Sequence, residues 1–314
     1  MPGGSTPGTV ACAPADRSGG TVPAMDVGVV VNFDGGRNRG MEALAACARQ
    51  LDASTLTSMW LPEHVVFVQG ATSPYPYSTE GLNLGRRPGM YDPLIGLTVA
   101  ATVTERIRLG TGVLILPQRE PVTLAQQLVA LDHAAQGRID LGIGVGWLRE
   151  ECETLGVPWE RRGARTDEYI GVLRALWRDD VVDHDGEFVH LTGALAWPKP
   201  VQDGGLPIWV GGNTPPALRR AGRLGDGWFG WNLDVDQVRT SIATIRTTAA
   251  TAGRDPSTVR LKVGRAWPGD LGEVGAYVAA LAPLGVGEVL IAPATAGVEM
   301  AQRLDELDVA VAGV

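Results

Sequence analysis

The chain is 314 residues long, 45% hydrophobic, and carries a formal net charge of −8. That core content excludes a disordered chain, and the acidic balance excludes a general nucleic-acid binder, which needs a basic face. No apolar run is long enough for a transmembrane helix, and the three cysteines, Cys12, Cys47 and Cys152, are too scattered for a disulfide framework or a metal site, pointing to reduced thiols in the cytoplasm.

Residues 1–24 are rich in Gly, Pro, Ser and Thr, lack the layout of a signal peptide, and read as a disordered leader before a single domain over 25–314. Asp26–Val31 is a valine-rich run of the kind buried on both faces of a parallel sheet. Met41–Leu51 follows at helical spacing, and Leu56–Leu61 is a second strand ending in Pro62-Glu63-His64. A long polar loop runs to Arg87, and Pro93–Thr104 is an alanine-rich helix. The third strand, Ile107–Leu116, its helix, Pro121–Ala135, and the fourth strand, Ile139–Val145, make a parallel unit. Both strands end on glycine, a sign that something flat or charged lies against the backbone. An excursion follows, with helices near Leu148–Leu155 and Ala164–Trp177 and a hairpin, Val181–His184 and Glu187–Leu191, about an Asp185-Gly186 turn. The alternation resumes with strand Pro207–Val210, helix Pro215–Leu224, strand Gly227–Gly230 and helix Val235–Ala252, capped by Asp234. It closes with strand Val259–Val263, helix Gly272–Leu284, strand Glu288–Ile291 and helix Met300–Leu307. Eight strand–helix alternations predict an α/β fold, a (β/α)8 TIM barrel with an insertion of helices plus hairpin after the fourth strand.

In such a barrel the chemistry sits at the C-terminal ends of the strands. Gly142-Ile143-Gly144-Val145-Gly146 falls there, but its GxGxG spacing is not the GxGxxG of a dinucleotide site. It reads as small residues that let the strand splay at the mouth. Gly211-Gly212-Asn213-Thr214-Pro215 is a stronger motif: two glycines free the backbone, Thr214 is placed to cap the helix, and exposed N–H groups favour an anion. The rival reading is an ordinary capped turn. His64, on the rim after the second strand, can exchange a proton with a ligand near neutral pH, or simply bond a neighbouring carbonyl. Trp147 follows the glycine run, where an indole can wall a substrate. Lys199 and Lys262 are the only lysines, so a lysine-based phosphate clamp is not expected, and no metal site or GxSxG serine elbow is present.

Taken together, SMWLPEHVV, Asp92-Pro93-Leu94, TERIRLGTGVLILPQREPVTLAQQL, GRIDLGIGVGWLREE, RGARTDEY, WPKPVQ, PIWVGGNTPPALRRAGRLGDGWF and TAGRDP resemble the bacterial luciferase-like superfamily, in particular its coenzyme F420-dependent oxidoreductase branch. The resemblance spans roughly Met25 to Leu307. It implies a flat tricyclic cofactor across the C-terminal mouth of the barrel. It also implies a bulge at the end of the third strand, often with a non-proline cis peptide, that backs the ring at Gly112-Val113. The cofactor phosphate would lie at Gly211, Gly212, Asn213 and Thr214, with Gly146 also at the cofactor. His64 would be an active-site residue, with Glu63 as an orienting or second proton group.

The sugar-phosphate dehydrogenases of the superfamily carry an acidic residue where this chain has Trp147, and lysine contacts that so lysine-poor a chain lacks. The expected substrate is therefore a small organic molecule, apolar or aromatic. The function expected is hydride transfer between F420 and that substrate, in a cytoplasmic homodimer; the Pro93–Thr104 and Thr123–Ala135 faces are candidates for pairing protomers, with core packing the simpler explanation of either stripe. Two alternatives stand beside it: an FMN-dependent luciferase-like monooxygenase using O2, and a non-catalytic flavin-binding barrel.

Overall fold

The computed structural model describes residues 25–33, 40–77, 89–267, 270, 272–293 and 298–311. The leader 1–24 and part of the long loop, 78–88, lie outside the described residues. In chain order the elements are β1 (Asp26–Val30), α1 (Gly40–Ala53), β2 (Ser58–Leu61), α2 (Pro93–Ala101), β3 (Arg108–Thr111), β4 (Leu114–Ile115), α3 (Pro121–Ala134) and β5 (Ile139–Gly144). Then come α4 (Arg149–Thr154), α5 (Arg162–Arg178), β6 (Val182–Asp185), β7 (His190–Ala194), β8 (Ile208–Gly211), α6 (Pro215–Leu224), β9 (Gly227–Trp231), α7 (Val235–Thr251), β10 (Arg260–Trp267), α8 (Gly272–Leu281), β11 (Glu288–Pro293) and α9 (Val298–Val311).

The strands β3-β2-β1-β11-β10-β9-β8-β5 pair in parallel in that order, and β3 pairs with β5 to close the ring. This is the expected TIM barrel, with α4, α5 and the antiparallel β6–β7 hairpin inserted after its fourth strand. Helix starts follow the local chemistry. Asp92 accepts the amides of Leu94 and Ile95, Glu120 those of Val122 and Thr123, and Asp234 forms a capping box with Gln237. The α2 and α3 faces expected to pair protomers are turned largely onto this barrel, with Leu94, Leu97, Ala100, Leu124 and Leu128 buried and Ile95 exposed.

The lumen is filled by indoles laid over glycines. Trp60, Trp209 and Trp231 stand in register opposite Gly110, Gly227 and Gly264 of the next strand. A Cβ on those glycines would lie 2.5, 2.2 and 2.5 Å from the facing ring, so only hydrogen fits there. Phe229, Val30 and Leu290 complete this inner core.

Beneath it, toward the strand N-termini, lies a buried ionic floor. Lys262 Nζ is 3.1 Å from Asp140 Oδ2 and 2.6 Å from Glu288 Oε2. It also sits 4.5 Å and 4.2 Å from the Trp60 and Trp209 ring centroids, a cation–π arrangement. Arg108 meets both Asp140 oxygens, and Ser58 donates to Glu288.

Two elements break their ladders, the first in the way the family resemblance implied. The third strand is not continuous: Gly110 lies opposite Asp140 but Leu114 opposite Ile143, so four steps on one strand face three on the other. The extra residue forms a bulge between β3 and β4. The hairpin strands also shift, with Asp185 paired to His190 rather than forming a two-residue turn. The Glu168 carboxylate accepts the amides of Glu187, Phe188 and Val189, which removes those residues from the ladder.

Candidate active site

At the barrel mouth the Gly112–Val113 peptide within the bulge is cis. Gly112 N donates to Leu61 O at 2.7 Å, and Thr111 Oγ1 donates to Gly142 O at 2.6 Å, pinning the bulge between β2 and β5. A Cβ on Gly142 would fall 2.0 Å from the Thr111 carbonyl oxygen; one on Gly144 or on Gly211 would fall 2.8 Å from a Val113 methyl. This corrects the reading of bare strand ends: the glycines of β5 and β8 first admit the bulge itself. The part-exposed Val113 side chain then becomes the surface that the mouth presents.

Glu63 and His64 leave β2 in different directions. Glu63 is buried; its Oε2 accepts the Ile115 amide at 2.6 Å and its Oε1 is bonded by Arg119, which also reaches Asp92 Oδ2 at 2.7 Å. Burial raises its pKa, and the Arg119 charge offsets this only in part. Both oxygens are occupied, so the carboxylate braces the ends of β2 and β4.

His64 meets a different glutamate. Its Nδ1 is 2.8 Å from Oε2 of the fully buried Glu151, and its Nε2 accepts the Trp147 indole N–H at 3.1 Å. Burial pushes the Glu151 carboxyl up, but the hydrogen bond and charge of His64 and the Val66 amide outweigh it and hold the pKa below the ordinary value. Phe67 lies 4.6 Å and Trp147 5.4 Å from the His64 ring, and Tyr75 stands edge-on 5.2 Å from Trp147. Tyr77, beyond Tyr75, has its phenol pushed up to about 12 by burial and is no proton group near neutrality. Trp147 thus packs among aromatic rings and is a hydrogen-bond partner of His64.

The Gly211–Thr214 loop uses part of its polar inventory on β9. Gly212 (φ 111°) donates to Phe229 O and accepts from Trp228 Nε1, while the Asn213 side chain donates to Trp231 O at 2.7 Å and accepts from Trp231 N at 3.1 Å. Thr214 is at the helix N-cap, but its side chain makes no capping bond, contrary to expectation. Pro215 and Pro216 carry no N–H, so Ala217 is the first helical residue with an amide to offer.

Beside this loop is a cavity of about 260 Å³, lined among others by Gly144, Val145, Thr214, Arg162 and Arg220. Arg220 is committed to Asp167 and to Gly163 O. Arg162 lies 3.5 Å above the Trp159 ring, with its Nε 3.4 Å from Gly146 O, and forms no carboxylate ion pair among the described residues. Gly146 (φ 79°) meets the cavity only through this bond to Arg162. On the other side of the loop, Tyr75, Tyr77, Asn213, Trp231 and Asp234 line an open groove of about 1100 Å³. Glu151 and Arg162 escaped the sequence reading because each sits in a charged helical stretch that resembles an ordinary solvated face. The only available signal was their place in segments that follow the glycine run. Among the described residues no cluster of His, Cys, Asp and Glu could hold a metal, and no helix is long and apolar enough to cross a membrane.

Comparison with known proteins agrees with this architecture. The family model described as Luciferase-like monooxygenase matches residues 25–266. The chain is 35% identical over 250 residues to the uncharacterized protein Rv0953c of Mycobacterium tuberculosis, covering 78% of this chain and 85% of that one. It is 34% identical over 187 residues to the F420-dependent glucose-6-phosphate dehydrogenase of Nocardia farcinica, covering 55% of this chain and 54% of that one. In structure it resembles monooxygenase RslO1 from Streptomyces bottropensis, with a TM-score of 0.74 at 20% identity over 90% of this chain and 98% of that chain.

Proposed function

From the premise that the chain belongs to the luciferase-like monooxygenase family of oxidoreductases, we propose that it moves a hydride between coenzyme F420 and a small apolar or aromatic substrate. The single observation that carries this reading is the set of groups at the strand ends: a Val113 shelf, an Arg162-lined cavity beside Thr214, and a histidine held in a defined orientation by Glu151 and Trp147. The fit to a flat, anionic cofactor is specific. The glycines at 144 and 211 leave Val113 as an apolar floor, and Arg162, which has no carboxylate partner among the described residues, supplies positive charge beside Thr214. Similarity to the F420-dependent enzyme of Nocardia farcinica supports F420 over FMN.

F420, when bound, supplies the hydride chemistry. The residues of this chain bind, orient and move a proton. Gly112, Val113 and Gly146 would border the ring, and Gly211 to Thr214 and Arg162 would hold the anionic end. His64 Nε2 exchanges a proton with substrate, Glu63 braces the strand that carries it, and Phe67, Trp147 and Tyr75 exclude water from that exchange. Those aromatic walls carry no lysine, which favours an apolar or aromatic substrate over a sugar phosphate.

Titrating the full chain with F420 and with FMN tests this. F420 binding without FMN binding is expected, and small aromatic alcohols and ketones should then support F420 turnover. His64→Ala should lower that turnover by roughly 10²- to 10⁴-fold, the usual worth of a general acid–base group. Oxygen uptake with reduced FMN would move the assignment to a monooxygenase, and binding of neither cofactor would overturn it.

A further inference from the structure

An indole N–H can only donate. Trp147 Nε1 is 3.1 Å from His64 Nε2, so Nε2 presents a lone pair and the ring proton resides on Nδ1. Nδ1 faces Glu151 Oε2 at 2.8 Å, an acceptor. The other oxygen of Glu151 is fixed as well, because Oε1 accepts the amides of Val65 at 2.7 Å and Val66 at 3.2 Å. The neighbouring Glu150 holds the same loop further along, accepting the amides of Thr72 and Ser73. Two adjacent glutamates at the start of α4 therefore clasp the loop that carries His64, and the buried one is aimed at the imidazole.

We propose that Glu151 is the positioning residue that fixes His64 as the Nδ1–H tautomer, leaving Nε2 as the proton-accepting atom, and that the Trp147 indole covers this atom until a ligand replaces it. This rests on the reading of His64 as the proton partner. The geometry makes the claim sharp. In Glu151→Gln the amide oxygen remains with Val65 and Val66, so the new NH2 group faces Nδ1. A donor there turns Nδ1 into an acceptor and moves the ring proton to Nε2, where it opposes the Trp147 N–H.

The full chain has four histidines, so its imidazole ¹⁵N spectrum is assignable, with His64→Gln identifying the His64 signals. The wild type should show His64 with Nδ1 protonated, and Glu151→Gln should show Nε2 protonated at an unfolding midpoint close to that of the wild type. An unchanged His64 tautomer in Glu151→Gln overturns the proposal. Trp147→Phe keeps the question decidable should the glutamine variant not fold. Retention of the Nδ1–H tautomer without the indole donor assigns it to Glu151; a switch assigns it to Trp147 and overturns the proposal. His64→Gln with undiminished F420 turnover would instead sink the proton role, leaving the tautomer result standing, so the two failures are distinguishable.

Discussion

Among the described residues, Arg162 is the one cationic side chain of the cavity beside Thr214 without a carboxylate partner within ion-pair distance, and its guanidinium plane is held by the Trp159 ring. A planar guanidinium held in advance loses little freedom on meeting a phosphate. A charge-assisted hydrogen bond of this kind contributes about 1.5–3 kcal/mol. Arg162→Ala should therefore weaken F420 binding by roughly 10- to 100-fold while leaving the thermal midpoint nearly unchanged, measured by cofactor titration and by unfolding. Equal affinity in the two proteins would place the anion elsewhere. At this scale the sequence was only partly legible. Trp147 and His64 follow the ends of their strands, a placement visible in order and spacing, whereas Val113 was marked only by the family resemblance. Glu63 and Asn213 were placed correctly along the chain, but the direction of their side chains depends on Arg119 and Trp231, partners 56 and 18 residues away. Glu151 lies 87 residues from His64, and nothing local marks that pairing.

The barrel strands were legible as elements, because valine-rich runs and Pro-started helices carry their own local signals. The bulge was not visible in the periodicity of Ile107–Leu116, which continues unbroken through Gly112; it emerged from family resemblance. The hairpin turn was misplaced because Asp185-Gly186 is a good turn signal, yet the Glu168 carboxylate offers three amides a better acceptor than the ladder. Gly110, Gly227 and Gly264 have a reason that appears only across strands, since each faces an indole in register. Gly227→Ala tests it. The added methyl meets the Trp209 ring, whose own position is fixed by Lys262, so neither side yields easily. Overpacking of this kind costs about 1–3 kcal/mol, and a chemical denaturation midpoint shifted by that amount is expected. A neutral outcome would show that the lumen is loosely packed.

Across the whole molecule, the floor of the barrel ties β3, β5, β10 and β11 together through buried charge. Removing one member leaves others unpaired in low dielectric, which costs about 3–5 kcal/mol, so Lys262→Met should be strongly destabilised in urea titrations. Burial alone would raise the Asp140 pKa, but the Lys262 charge and the Arg108 hydrogen bond outweigh it and hold it far below the ordinary carboxylate value. A carboxyl depressed in the folded state stabilises the protein above its unfolded pKa, about 3.9, and that contribution is lost as pH falls toward the folded value. The wild type should accordingly lose stability below about pH 4, and the gap between it and Lys262→Met should narrow there. A gap constant down to pH 2 would assign the floor no role in acid sensitivity.

The ionic floor also fixes traffic. With ions and indoles stoppering its lower end, the barrel is a cup with a single rim rather than a tube. Whatever settles against Val113 therefore enters and leaves by the mouth.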